Sequence, residues 1–186
     1  KNEFIPWLVL AGFAGLRASE IMGSENNKTE RSRALRWGDV YLDRKIPVIY
    51  VRPETSKTDR ARIVKLHPTL VKWLKPYYDN ADRDSIHGEE RRGELIYPIG
   101  KPTAHTGDMP ETQRLAKIIG KKFDNQLRKS SSSYLLSSTG DDESTAKQHG
   151  HSIGTMKSQY INPRFEEDSE EWYSLTPEKV GRKNLG

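Results

Sequence analysis

Residues 6–21 read Pro6-Trp-Leu-Val-Leu-Ala-Gly-Phe-Ala-Gly-Leu-Arg-Ala-Ser-Glu-Ile21. The part before Arg17 is apolar almost all round, the pattern of a helix enclosed by the rest of a domain rather than one lying on its surface. Pro6 suits the first turn of that helix, where its missing N–H is no loss. Ala18 to Met22 opens a second helix, and the polar run Gly23-Ser-Glu-Asn-Asn-Lys-Thr-Glu-Arg-Ser-Arg33 reads as a loop-like insertion. The pattern then turns strand-like. Pro47-Val-Ile-Tyr-Val51 and Ala61-Arg-Ile-Val-Lys-Leu66 are short β-branched runs on either side of Pro53-Glu-Thr-Ser-Lys-Thr-Asp-Arg60, which predicts a hairpin with a basic tip. Helical spacing returns over 68–78, 111–123 and 127–136, with a charged loop over 79–93. Thr139-Gly-Asp-Asp reads as a turn and N-cap leading into a helix through about residue 148, and a last short helix covers 153–160. The fold class is therefore α+β, mostly helical, with a small antiparallel sheet or hairpin.

With 186 residues and 33% apolar side chains, the chain has the size of one ordinary domain. It contains no cysteine, which excludes a disulfide framework, a thiolate zinc site and a catalytic thiol. The apolar runs are too short for a membrane span, and no basic-then-apolar leader is present, so the expectation is a soluble cytoplasmic protein. Its net charge of +5 is unevenly placed. Residues 1–160 carry 27 basic and 20 acidic side chains, a balance of +7, whereas 161–186 carry four and six, a balance of −2. A phosphate backbone would attract the body and repel the acidic run Glu166, Glu167, Asp168, Glu170 and Glu171.

Four segments carry the candidate chemistry: Ala14-Gly-Leu-Arg-Ala-Ser-Glu-Ile21, the hairpin tip Thr55-Ser-Lys-Thr58, Asn125-Gln-Leu-Arg128, and Gly150-His-Ser-Ile-Gly-Thr-Met-Lys-Ser-Gln-Tyr160. Two arginines, a lysine on a tip, a histidine and a tyrosine are the types that phosphodiester chemistry without metal or thiol requires. Arginine forks pair with phosphate oxygens and stabilise added transition-state charge. Lysine can protonate a departing alkoxide, and a tyrosine hydroxyl can form a covalent phosphoester. Each residue also has a bland reading: an Arg17–Glu20 surface pair, a solvated turn lysine, His149 and His151 as solvent-facing imidazoles, and a packing tyrosine.

In the order and spacing of these motifs the sequence resembles the tyrosine recombinase (phage integrase) family. That family's catalytic domain has a Gly-Leu-Arg-x-x-Glu motif, and it ends with Gly-His followed nine residues later by tyrosine, as from His151 to Tyr160 here. Leu35-Arg-Trp-Gly-Asp39 resembles a further element of the same family. The resemblance implies a catalytic domain over 1–162 that cuts and rejoins double-stranded DNA without metal or cofactor. In it Arg17 and Arg128 would clamp the phosphate, Glu20 would support them, Lys57 would be the general acid, His151 a hydrogen-bond donor and Tyr160 the nucleophile. It also implies an amino-terminal DNA-binding domain outside this chain, and a molecule that is monomeric when free and tetrameric on DNA.

The sequence departs from the family at Asn125, where histidine or lysine is usual. An asparagine amide can donate to a phosphate oxygen but cannot exchange a proton near neutral pH. Relaxation by a type IB topoisomerase-like monomer and DNA binding without catalysis are the rival readings. Ser130 to Ser133 reads as small residues that let a helix approach the site closely, His67, His87 and His105 as structural or surface residues, and Trp37 and Trp73 as core anchors. Residues 163–186 form an acidic and aromatic tail in which Trp172, Tyr173 and Leu175 make an apolar face, for docking in trans on a neighbouring copy or for ordinary packing in cis.

Overall fold

A computed structural model of the chain describes residues 4–23, 34–56, 58–87, 90–91, 93–96 and 125–183. The first helix, α1 (Phe4–Phe13), starts two residues before Pro6 and buries Trp7, Val9, Leu10 and Ala11 at the centre of the core. It ends where the Ala14 and Leu16 amides both turn back to the Leu10 carbonyl, with Gly15 in the left-handed region at φ 63°. That reversal places Arg17 directly before α2 (Ala18–Met22). Glu20 then accepts the Arg17 backbone N–H at 2.9 Å, so the helix start and the charged pair form together.

A three-stranded antiparallel sheet lies on this core, built from β1 (Val40–Tyr41), β2 (Val48–Val51) and β3 (Arg62–Lys65) in that order. Ile49 pairs with Val64 and Tyr50 with Ile63. The two-residue alternation puts Ile49, Val51 and Val64 in the core and leaves Ile63 in solvent. The turn at Trp37–Asp39 buries Trp37, and Asp39 holds the base of the hairpin by accepting from Arg36 N–H and from Arg52 Nε at 2.6 Å. The Leu35-Arg-Trp-Gly-Asp39 element is thus a corner of the scaffold.

α3 (Pro68–Tyr78) occupies the expected span, started by His67, whose Nδ1 accepts the Thr69 N–H, and by a proline in its first turn. The charged segment expected as a loop contains a small two-stranded ribbon, β4 (Ile86–His87) with β5 (Glu90–Arg91). Its strands are too short for any periodicity to announce them. The expected helix over 111–123, the 24–33 part of the insertion, Lys57 and His105 lie outside the described residues.

α4 (Gln126–Thr139) crosses α1 with Ser131, Ser132 and Ser133 buried, the close approach that the serine run predicts. After Gly140, Asp141 caps α5 (Asp142–His149), and Ser152 caps α6 (Ile153–Gln159). In the isolated chain the tail packs in cis. α7 (Glu166–Tyr173) stacks Trp172 on Tyr134 with ring centroids 4.7 Å apart and Tyr173 on His67 at 4.1 Å. Trp73 Nε1 donates to the Leu175 carbonyl at 2.7 Å, and Thr69 donates to that of Tyr173. A final helix, α8 (Pro177–Lys183), follows. Among the described residues no helix is long and apolar enough to cross a membrane.

Candidate active site

Glu20 is fully buried at the start of α2, and two cations share it. Arg17 Nη1 binds Oε1 at 2.9 Å, while Arg62, arriving from β3, forks onto both oxygens at 2.9 and 2.7 Å. Burial by itself pushes the Glu20 carboxyl up. The Arg62 fork and then Arg17 outweigh it, so Glu20 sits below the usual carboxylate range and stays ionised. The second guanidinium nitrogen of Arg17 reaches the Gly150 carbonyl at 3.4 Å, which ties α2 to the turn before His151.

Arg128 lies one turn into α4 and is 2% exposed. Its two terminal nitrogens donate to the carbonyls of Gly15 and His149, and Nη2 also lies 2.7 Å from His151 Nε2. Burial and then the charge of Arg17 pull the Arg128 pKa down to about 10, which leaves it a cation at neutral pH. Its Nε has no acceptor among the described residues.

Gly150, at φ 65°, ends α5 and swings His151 toward Arg128. One helix later Tyr160 returns to the same place. Its ring lies 4.1 Å from that of His151 and 5.6 Å from the Arg128 guanidinium carbon. Burial, then Arg128, lowers the His151 pKa to about 4, so the imidazole is neutral at pH 7.

Arg17, Glu20, Arg128, His151 and Tyr160 therefore converge from three separate segments. Asn125 does not join them through any contact among the described residues. It is exposed, immediately before α4, in the left-handed region at φ 56°, and its side chain makes no capping bond. For His149 the bland reading of a solvent-facing ring does not hold: it is fully buried. Its Nδ1–H donates to the Thr145 carbonyl at 2.9 Å, which leaves Nε2 to accept from the Ser131 hydroxyl at 3.1 Å. Burial and then Arg128 depress its pKa to about 3.

Arg62 is the residue that sequence reasoning missed. A signal was present, because Arg62 shares the inward face of its strand with Val64 and Leu66. A cation in that register must find a buried anion.

Beside this cluster an open groove runs between β2–β3 and α5. Its lining includes Tyr50, Arg60, Lys65, Lys147 and His151, with Asp141 and Glu143 on the same wall. Among the described residues no cluster of His, Asp and Glu could hold a metal ion.

A helical α+β domain in which a buried arginine near the start of α4 meets an imidazole and a phenol has the tyrosine recombinase fold. The model of the phage integrase family matches residues 8–167, and the chain belongs to that family. Among solved structures it is similar to the XerH site-specific recombinase bound to a palindromic difH substrate in a post-cleavage complex. The two share 18% identity and a TM-score of 0.56 over 94% of this chain and 47% of that one. It is similar also to XerH bound to difH before cleavage, at 17% identity and a TM-score of 0.54 over 94% and 48%. The chain thus spans about half the length of those recombinases. A search of the curated proteins gives no match.

Proposed function

We propose that the chain is the catalytic domain of a site-specific DNA recombinase that breaks and rejoins strands through a 3′-phosphotyrosine intermediate. The observation that carries this reading is the contact of the tilted Tyr160 and His151 rings with the Arg128 guanidinium beside both. Double-stranded DNA is the proposed partner, supported by the basic side chains of the groove and by the likeness to recombinases solved with DNA substrates. Assembly is proposed to be monomeric in free solution and tetrameric on DNA.

In this reading Arg17 and Arg128 bind the non-bridging phosphate oxygens, and their charge stabilises the pentacoordinate transition state. His151 Nδ1 and the Asn125 amide add neutral donors. The Tyr160 oxygen forms a bond to phosphorus as the bond to the 5′ oxygen breaks. The tyrosine proton leaves to water, and the Lys57 ammonium gives a proton to the 5′ oxygen. The phosphotyrosine bond keeps the energy of the broken linkage, so a second 5′-hydroxyl can reverse the step on another strand.

A suicide duplex nicked near the scissile phosphate tests this. The parent chain should form a covalent adduct that survives denaturation, and Tyr160→Phe should bind the duplex and form none. An adduct with Tyr160→Phe would place the nucleophile elsewhere, and supercoil relaxation without strand exchange would assign the chain to the topoisomerase-like reading.

A further inference from the structure

Arg62 makes contacts that no purely local salt bridge needs. From β3 it forks onto both oxygens of Glu20 at 2.9 and 2.7 Å, and its Nε donates to the Gln148 carbonyl at 3.1 Å, near the end of α5. Its stem fills the space beside Gly150, where a Cβ would stand 3.4 Å from three Arg62 atoms. One side chain, rooted in β3, therefore touches the carboxylate that holds Arg17 and the turn that delivers His151. Arg17 itself closes the loop through the Gly150 carbonyl.

We propose that Arg62 is a positioning residue for the reaction centre, fixing Arg17 through Glu20 and His151 through the Gln148–Gly150 turn in one frame. The proposal rests on the reading of Arg17 and His151 as catalytic groups. The fork geometry makes the role specific to arginine. A lysine head is a point donor and cannot span both Glu20 oxygens while also reaching the Gln148 carbonyl. A misplaced Arg17 would still attract DNA but would no longer meet the phosphate oxygen squarely, and such misplacement acts on the chemical step more than on binding.

The experiment compares the parent with Arg62→Lys and Arg62→Gln on the nicked suicide duplex, measuring DNA affinity and single-turnover adduct formation separately, with thermal melts to follow the folded fraction. Affinity should stay within about threefold while the rate of adduct formation falls by about tenfold or more. The same duplex with a methylphosphonate at the scissile position carries no formal charge there for Arg17 to clamp. On it the gap between Arg62→Lys and the parent should narrow to about threefold or less. A variant rate equal to the parent's would overturn the proposal, as would an equal gap on both substrates. Loss of the folded state in both variants would make Arg62 a structural residue and overturn it as well. A parent that forms no adduct removes the catalytic reading and this proposal with it, whereas a reactive parent with an indifferent Arg62 removes this proposal alone.

Discussion

His151 Nε2 lies 2.7 Å from Nη2 of Arg128, and because a guanidinium has only N–H groups to offer, that ring nitrogen must be the acceptor. The proton of the neutral imidazole therefore sits on Nδ1, the nitrogen left to donate. With burial and Arg128 holding the pKa near 4, the neutral form dominates throughout the physiological range. Adduct formation by the parent should show no acidic limb from His151 until below about pH 5, where a second cation would press on Arg128. A rate-versus-pH profile with a limb near 6.5 would show instead that the imidazolium is the working form.

Stability should fall on mild acidification because of His149. A histidine whose folded pKa lies below its unfolded value contributes fully above about 6.5, and the contribution is lost as the pH falls toward the folded value, here about 3. Between pH 7 and pH 5 the loss should amount to about 2 kcal/mol. His149→Leu, of similar volume and without a titrating group, should roughly halve the pH dependence of urea unfolding over that interval, the remainder coming from His151 with its pKa held near 4. An unchanged slope would place the titration elsewhere.

Gly15 leaves no room for a side chain. A Cβ there would lie 2.2 Å from His149 Nε2 and 2.9 Å from Ser131 Oγ, on a backbone at φ 63°. Gly15→Ala should destabilise the chain by about 3 kcal/mol or more through strain and clash together, and should disturb the carbonyl that Arg128 grips. A melting temperature within about 2 °C of the parent would contradict that packing.

At Asn125 the backbone shapes the choice of variant. Alanine would remove the amide but also pay for the left-handed conformation, so Asn125→Gly is the cleaner probe. It should leave stability within about 1 kcal/mol and slow single-turnover cleavage by somewhat less than tenfold, the scale of one neutral hydrogen bond. Cleavage as fast as the parent's would make the amide a spectator.

Trp172 tests where the tail belongs in dilute solution. Stacked on Tyr134 and tilted against Phe13 at 5.3 Å, it supports its own chain, and Trp172→Ala should cost about 2–3 kcal/mol. An unchanged denaturation curve would mean that the segment leaves the body in solution, which would favour docking on a neighbouring copy once DNA assembles the protein.

Local rules carried most of the fold. Proline-started α3 and the β-branched runs of β2 and β3 were legible because their signals lie within a dozen residues. His149 was not, since two histidines two residues apart across a glycine turn say nothing about which one faces the core. Arg62 was hidden for a related reason: its partner Glu20 is 42 positions away, and only the assembled sheet brings them together. Arg17, Arg128, His151 and Tyr160, which the structure brings together, could be singled out from motif order, whereas the carbonyls that hold Arg128 belong to backbone geometry, which side-chain identity does not encode.

The Ser133 hydroxyl donates to the Lys129 carbonyl at 2.9 Å, within its own helix, and accepts the Asn162 N–H at 2.9 Å, two residues beyond Tyr160. α4 thus carries Arg128 near its start and, little more than a turn later, a clasp on the backbone just beyond the tyrosine. Arginine and tyrosine are geared to one rod, so a tilt of α4 would carry both along and leave their spacing intact. Moving Tyr160 by itself requires the clasp to open, so the freedom of that ring is set by a serine one helix away.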